Sequence, residues 1–482
     1  LLLVPEIALA QQLFKKMQGW IGEAHTVLWH GSMTVHQRMH SWDMVASNTP
    51  LVIVGVRSAC LLPVQGLGLI IVDEEHDGTY KQDEMPHYHA RDAAIKRAQC
   101  HNIPVVMGSA TPSLETYMRC HNAGGVYTLS AQHFITETIK PQIINVLKED
   151  MQRDKMLTPT LKQAIINHYE RGGQVLLYIN KRGFAPIRYC AACGAIPECP
   201  ACSVRLHVHR SSGQLKCHWC GYQEIEKPHC EGCGETQFHY FGTGIEKVAE
   251  EVADILPHAQ IAVASSDVLK TPKAARKLWS DMDSGAIDVL LGTQMVTKGH
   301  DVPNLTLVGV LDGDPDFDAL DPRAAERLYQ VLRQVIGRAG RHRKGGEVYI
   351  QSRNPENRVL QYVVENKYES FVKEELGRRR MLDLPPFGRL AGIVFSGKND
   401  HQVMSHARAV AHQALQVPLD GVQWLGPVAA AIHRLRGRYR WRALVRARDR
   451  KSLEQALAHW VMPLMNESQV RIDVDIDPYS FY

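Results

Sequence analysis

The sequence predicts an α/β protein: two halves built on parallel sheets, a cysteine-rich insertion in the second half, and an appended α+β domain. Three observations predict it. Short, fully apolar runs recur through two separate stretches, as strands covered on both faces require. Eight of the eleven cysteines crowd into residues 190–233. Beyond about residue 355 the apolar runs give way to shorter mixed elements, and a dense basic segment follows.

The first strand series comprises LLLV, TVLW, LVIVGV, LGLIIV and PVVMG within residues 1–120, separated by polar or amphipathic stretches. Residues 125–160 lose the pattern and read as a connector. The second series is QVLLYIN (174–180), QIAVAS, IDVLLGT (287–293), LTLVGVLD (305–312) and GEVYIQS (346–352), interrupted by the cysteine-rich stretch. A helical ENKYESFVKEELGRRR and the punctuating LPPFG (384–388) introduce the last part of the chain.

Length and composition narrow the classes. At about 150 residues per domain, 482 residues suggest roughly three domains. Apolar residues make up 45% and charged residues 22%, an ordinary globular balance. No run approaches the ~18 apolar residues of a membrane span, and no secretory leader pattern opens the chain. Membrane-spanning, collagenous and disordered classes are excluded. Net charge is 55 − 51 = +4, too small by itself to announce a nucleic-acid partner. Residues 433–451, however, carry eight Arg and one Lys against Asp449, a local +8 set against about −4 elsewhere. Leu1 is no initiator Met, and LLLVP reads as a strand already under way, so the chain reads as a fragment cut inside a sheet; a processed terminus is the alternative.

The cysteines form four C-x-x-C pairs: Cys190/Cys193, Cys199/Cys202, Cys217/Cys220 and Cys230/Cys233. A two-residue spacer lets both thiolates reach one tetrahedral ion. Gly194, Gly221 and Gly234 follow three of the second cysteines, where a positive φ wraps backbone around a metal. Eight ligands predict two zinc sites of four cysteines each. With four thiolates per ion and no open position, both are structural. Two pairings are open. In the nested one, RLHVHR and GQLK form a ribbon hairpin holding 199/202 with 217/220, and 190/193 closes with 230/233. The sequential one joins pairs only five residues apart; nesting is favoured. Cys60, Cys100 and Cys120 read as ordinary packed residues.

Three apolar strands run straight into polar motifs: LGLIIV into Asp73-Glu74-Glu75-His76, PVVMG into Ser109-Ala110-Thr111, and DVLLG into Thr293-Gln294. Ligands of open α/β sheets sit at the carboxyl ends of strands. An aspartate there suits Mg²⁺, and an adjacent glutamate can orient a water. Near the end of the second half, Gln334-Val-Ile-Gly337-Arg338-Ala-Gly340-Arg341 places two arginines three apart, able to address one polyphosphate.

In the basic segment Arg434, Arg436, Arg438, Arg440 and Arg442 alternate with other residues. On one strand they would share a face as a phosphate track, with Leu435, Tyr439, Trp441 and Ala443 on the other. Tyr439 and Trp441 then belong to the core rather than to base stacking.

DEEH, GSAT, GTQMVTKGHD and QVIGRAGR occur in the order and spacing of superfamily-two DNA helicases. LVPEIALA, GVRSA (55–59), DEEHDGTYKQDEMPHYHARD (73–92), NKRGFAP (180–186), the eight-cysteine insertion, LPPFG and WLGP (424–427) narrow this further. Over essentially its whole length the chain resembles the PriA-type replication-restart helicases.

That resemblance implies two RecA-like helicase lobes, a two-zinc, eight-cysteine insertion in lobe 2, and a C-terminal α+β DNA-binding domain. The boundaries it suggests are 1–125 for lobe 1, 126–188 for a linker and the start of lobe 2, 189–235 for the zinc-binding insertion, 236–355 for the rest of lobe 2, and 356–482 for the C-terminal domain. It implies Mg²⁺ with ATP between the lobes: Asp73 linked to the metal, Glu74 activating water, Gln334, Gly337, Arg338 and Arg341 at the nucleotide, with Arg341 as the arginine finger. Ser109 and Thr111 would couple nucleotide to DNA. Tyr80, Lys81, Tyr88 and His89 fall in a segment resembling the aromatic-rich loop that senses single strands. Asn180, Arg182, Lys298 and His300 would meet DNA or the lobe interface, and Arg438 and Arg440 would meet phosphates. The implied activity is 3′→5′ unwinding that restarts stalled forks at branched DNA and initiates primosome assembly. The implied partners are single-stranded and forked DNA, single-strand-binding protein and loaders of the replicative helicase. The implied location is a bacterial cytoplasm, at the nucleoid, with no membrane.

One departure is large. No G-x-x-x-x-G-K-[ST] phosphate loop occurs in the 482 residues; in the family it lies just upstream of the LVPEI segment. The expectation is therefore an N-terminally truncated helicase. The alternative is a catalytically inactive zinc-containing DNA-binding remnant, against which the intact Asp73, Glu74, Arg338 and Arg341 count.

Overall fold

In the computed structural model of the chain, the apolar runs of the first series pair as β1 (Leu2–Leu3), β2 (Thr26–Trp29), β3 (Val52–Gly55), β4 (Ile70–Val72) and β5 (Val105–Met107). They form one parallel sheet of order β2-β3-β1-β4-β5. Residues 1–47, 49–129, 139–150, 155–179, 187–209, 213–241, 245–264, 272–293, 302–314, 321–339, 346–465 and 469–479 are described, in two units, Leu1–Thr128 and Leu129–Tyr482. In the first unit the central strands are covered on both faces. Leu3, Ile53, Ile70 and Val72 pack one way with Ala90 and Ala94 of α3 (Ala90–His101). Val4 and Val54 pack the other way, against Leu13 and Phe14 of α1 (Ile7–Ile21). Helix α2 (Val35–Ala46) starts in a reciprocal capping box between Thr34 and Gln37. Strand order reverses between β1 and β4, so their carboxyl ends flank the place where open α/β sheets take ligands.

The second unit opens with β6 (Gln142–Asn145), α5 (Pro159–Glu170) and β7 (Gln174–Tyr178). A two-stranded antiparallel stalk, β8 (Ile187–Cys190) with β12 (Phe238–Phe241), carries the insertion, whose own small sheet is β9 (His207–His209), β10 (Gln214–Lys216) and β11 (Gln223–Ile225). There follow α6 (Ile245–Ile255), β13 (Ile261–Ala264), α7 (Pro272–Asp283), β14 (Val289–Gly292), β15 (Leu305–Val310), α8 (Ala324–Ile336) and β16 (Glu347–Ser352). The large sheet is parallel throughout, in the order β13-β14-β7-β15-β16-β6. All five residues of β7 are buried. Part of the stretch read as a connector is thus a strand: β6 pairs with β16, Ile143 opposite Ile350, as the edge of the sheet. A four-residue edge strand is too short to declare a period.

The last part of the chain has α9 (Arg358–Val364), α10 (Tyr368–Met381), β17 (Arg389–Gly397), α11 (Asp400–Gln416), β18 (Val422–Leu435), β19 (Arg438–Ala447), α12 (Arg450–Ala456) and β20 (Arg471–Ile476). Its four strands form an antiparallel sheet, β18-β19-β17-β20. Val403, Ala407 and Val410 of α11, with Trp460, bury one face of it against Ile393, Phe395 and Val445. Among the described residues no helix is long and apolar enough to cross a membrane.

One buried charge organises the carboxyl edge of the first sheet. Glu75, 1% exposed, accepts hydrogen bonds from the Ser113 N–H at 2.6 Å, the Ser113 hydroxyl at 2.9 Å and the Thr116 hydroxyl at 2.8 Å. Arg91, also buried, lies 3.4 Å from it. Ser113 is also the N-cap of α4 (Leu114–Asn122), so the residues after β4 are tied to the starts of two helices. Removing one partner of such a buried pair strands the other. Glu75→Ala is expected to cost about 3 kcal/mol of unfolding free energy, read by denaturant titration of the first unit. A loss below ~1 kcal/mol would contradict the network's role.

Candidate functional site

The acidic motif begins where β4 ends. The Asp73 N–H donates to the Leu3 carbonyl at 2.9 Å, which fixes the residue beside β1. Its Oδ1 accepts from the Glu74 N–H at 3.0 Å. Burial pushes the Asp73 carboxyl above its ordinary range, while that N–H and His76 oppose the shift. Glu74 turns the chain in the left-handed region, at φ 46°. A Cβ built on Gly108 would sit 3.3 Å from Asp73 Oδ1, so glycine at the end of β5 keeps that flank of the carboxylate clear. His76 Nδ1 lies 2.7 Å from the Ser109 hydroxyl, whose oxygen also accepts the Thr111 N–H at 3.0 Å. The two motifs, thirty-odd residues apart in sequence, are thus one hydrogen-bonded cluster.

The loop after the motif corrects one expectation. Tyr80 is fully buried, with its hydroxyl donating to the Asp73 carbonyl at 2.7 Å. Its ring packs in the core and offers no face to a base. Lys81 is 5% exposed and bridges to His89, and His89 caps α3 by accepting the Arg91 N–H. Tyr88 leans on the same core. Arg57 holds the loop from below, donating to the carbonyls of Thr79 at 3.2 Å and Lys81 at 2.6 Å. No sequence pattern announces this role for Arg57. The available signal was a lone arginine in GVRSA, which identifies no partner.

In the second unit Thr293 stands just past the end of β14. Asn180, Arg182, Gln294, Lys298, His300 and Arg341 lie outside the described residues. Gln334 occupies the last turn of α8, Gly337 caps it, and the Arg338 N–H bonds back to the Val335 carbonyl at 3.0 Å. Arg338 therefore stands beyond the helix, in a turn. Helix α8 is held from behind by buried charges: Arg379 of α10, 1% exposed, reaches Glu326 at 2.7 Å and Glu375 at 2.9 Å. A near match to a phosphate loop, Gly392-Ile-Val-Phe-Ser-Gly-Lys-Asn399, lies mostly along β17, whose backbone is paired with β19 and β20 on either side. It is a strand and cannot cradle phosphate.

The cysteines assemble as two nested sets, Cys190, Cys193, Cys230 and Cys233, and Cys199, Cys202, Cys217 and Cys220, with all four sulfurs of each set within 4.8 Å of one another. Sγ–Sγ separations are 3.5 Å (190–233), 3.6 Å (193–230) and 3.5 Å (199–220). These are far beyond a disulfide's ~2.05 Å and near the ~3.8 Å that tetrahedral Zn–S bonds of about 2.3 Å would give. Gly194, Gly221 and Gly234 have φ of 71°, 80° and 78°, the wrap their positions predicted. The residues fit zinc, and four thiolates leave no open position.

The arginine row is shorter than expected. A hairpin turn, with Arg436 and Gly437 at φ 51° and 75°, separates β18 from β19. Arg434 pairs with Tyr439 and lies over its ring at 5.5 Å, while Leu435 pairs with Arg438. Directly paired residues share a face, so Arg434 and Leu435 have exchanged the sides a single strand would give them. Arg438, Arg440 and Arg442 keep a common face of β19. Trp441 packs on the core as expected, its indole N–H donating to Asp400 at 2.8 Å.

Comparison with known proteins agrees with this geometry. Residues 1–120 match the DEAD/DEAH box helicase family and 234–343 the helicase conserved C-terminal domain. Residues 199–224 match the PriA DNA helicase Cys-rich region, and 380–479 the primosomal protein N C-terminal domain. The replication restart protein PriA of Rickettsia felis is 38% identical over the whole chain, which spans 74% of that protein. That of Bacillus subtilis is 36% identical over 99% of the chain, which spans 60% of it. Among solved structures, the DUF1998 helicase MrfA bound to DNA aligns with TM-score 0.43 and 16% identity over 77% of this chain and 42% of that one, too distant to add to the case. Four matches in the family's order, with identity above one third along the chain, establish that the chain belongs to the PriA family of replication restart helicases.

Proposed function

We propose that this chain carries the hydrolytic carboxylates and the DNA-gripping parts of an ATP-dependent 3′→5′ helicase that recognises branched DNA, restarts stalled forks and initiates primosome assembly with single-strand-binding protein and helicase loaders. The observation that carries the reading is the joined cluster at the carboxyl ends of β4 and β5. There Asp73 and Glu74 sit on a turn that His76 ties to Ser109. In a helicase, Asp73 would hold Mg²⁺ and Glu74 would orient the attacking water. The His76–Ser109 contact would report nucleotide state to the DNA-facing motif, and Gln334, Gly337, Arg338 and Arg341 would face the phosphates. The rest of the loop after the motif, Lys81 included, would act on DNA through its backbone mooring to Arg57, not by stacking of Tyr80. Arg182, Arg438 and Arg440 would contact DNA. When bound, zinc would supply rigid cross-links in the insertion and no hydrolytic chemistry.

A phosphate loop is needed to bind the β- and γ-phosphates, and these 482 residues contain none. The chain alone is therefore expected to bind forked DNA and to release no phosphate above background. Joining it to a preceding segment that carries G-x-x-x-x-G-K-[ST] should restore DNA-stimulated hydrolysis, and Glu74→Gln should then lower it by about 10² or more. DNA-stimulated phosphate release by the chain alone, or full activity of the glutamine variant, would refute the assignment.

Replacing Arg438, Arg440 and Arg442 together by Gln should remove about three phosphate contacts. The slope of log affinity against log salt should then flatten by roughly 2–3 units. An unchanged slope would place the phosphate track elsewhere.

Asp73 also carries a folding cost. Its carboxyl is raised in the folded chain, so the folded state binds its proton more tightly than the unfolded one. Stability contributed by the neutral acid is therefore complete at low pH and is lost as pH rises through the folded value. Asp73→Asn should raise the melting temperature of the first unit at neutral pH without Mg²⁺ by roughly 2 °C or more, the gap closing on acidification. Equal or lower melting at pH 7 would contradict it.

A further inference from the structure

The tip of the β18–β19 hairpin sends its hydrogen-bond donors into the cysteine-rich insertion. The Arg434 N–H donates to the Ser203 hydroxyl at 2.9 Å, and the Gly437 N–H to the Ala201 carbonyl at 2.7 Å. Between them, the Arg436 N–H points at the sulfur of Cys202, 3.3 Å away. In return, the Ser203 N–H donates to the Arg434 carbonyl at 2.8 Å. Leu435 packs into the insertion's core of Cys199, Cys202, Leu206, Val208, Leu215 and Cys217. The Arg436 guanidinium reaches the Trp219 carbonyl at 3.4 Å, between Cys217 and Cys220.

This dock is chemically specific. Four thiolates around one Zn²⁺ carry a net charge of −2, and a metal-bound thiolate is a strong acceptor for an N–H and a good neighbour for a cation. Arg436 holds a left-handed φ of 51° in a turn whose two central residues both have positive φ. Asparagine or glycine enters that conformation more readily. The turn aims the Arg436 N–H at Cys202 while its side chain reaches across to the second knuckle.

We propose that the inner four-cysteine site is the receptor for the hairpin tip of the C-terminal domain, and that zinc held there keeps the tip docked. Zinc at Cys199, Cys202, Cys217 and Cys220 thereby sets the start of the arginine row at Arg438. The proposal rests on the reading that these cysteines hold zinc, and the test separates the two.

The test is amide hydrogen exchange on the full chain, with zinc content measured in the same preparation. Stripping zinc with a chelator should accelerate exchange of the peptide spanning residues 430–440 by about tenfold or more, with α11 on the same sheet unchanged. Leu435→Ser should free the same peptide while two zinc ions per chain remain. Unchanged exchange at the tip in both experiments would overturn the proposal. So would equal acceleration in α11, which would signal unfolding of the whole domain. A preparation that never contains zinc would refute the zinc reading instead, and the Leu435→Ser comparison would still test the docking, since it needs no change in metal.

Discussion

Parallel strands buried on both faces leave no room along their length for polar chemistry, and the rest of this molecule follows from that constraint. Residues such as Ile70, Val72, Leu177 and Leu291 are almost wholly buried, so each strand can present function only where it ends. At the ends of β4 and β5 the chain therefore changes abruptly from hydrocarbon to Asp73–His76 and to Ser109–Thr111. The motifs must then be held without strand hydrogen bonds. Glu75 does this for the first unit. It sits in the middle of the acidic motif yet points inward, accepting hydrogen bonds from the start of α4, while its neighbours Asp73 and Glu74 stay outside that network. Adjacent carboxylates in one tetrapeptide thus differ in role: Glu75 anchors the start of α4, while Asp73 lies outside that network.

The insertion meets the opposite problem, too little hydrocarbon. Its core has six buried residues, and three of them, Cys199, Cys202 and Cys217, are metal-type ligands. A module this small gains cohesion from metal cross-links where a larger one would use side chains. This accounts for the closed thiolate sets, and for the fact that the module rests on a two-stranded stalk and borrows Leu435 from another part of the chain.

Legibility followed the same physics. The ten apolar runs and the four C-x-x-C pairs were readable because burial on both faces and tetrahedral ligation each impose a local pattern on sequence. Nesting of the cysteine pairs was readable from spacer length. What escaped were features set by tertiary pairing. Edge strand β6 is a four-residue run with no period of its own. The Arg434–Arg442 alternation looked like one strand because the even-numbered arginines run straight through the turn; Gly437, beside Arg436, was the one turn signal inside it. Tyr80 looked like a surface aromatic because it sits among polar residues, and only the fold shows its ring in the core with its hydroxyl on the Asp73 carbonyl.

Helix α8, which runs into the turn at Gly337 and Arg338, shows how such connections can extend through the second unit. Arg379 and Glu326 are almost fully buried, and Glu375 completes the set with Arg378 outside it. Arg379 also donates to the carbonyls of Pro322 and Pro385, so one guanidinium joins the start of α8, the body of α10 and the entry to β17. Replacing such buried charges by hydrocarbon of the same volume often costs no stability, since burying charges offsets most of what their attraction contributes. Charges differ from hydrocarbon in directionality. A planar fork with fixed acceptors admits one relative position of α8 and α10, whereas apolar side chains tolerate sliding. The end of α8 is thereby held in a fixed position, and β17, which carries the C-terminal sheet, is tied to the same side chain. A shift of that sheet cannot leave α8 untouched unless the network itself is broken.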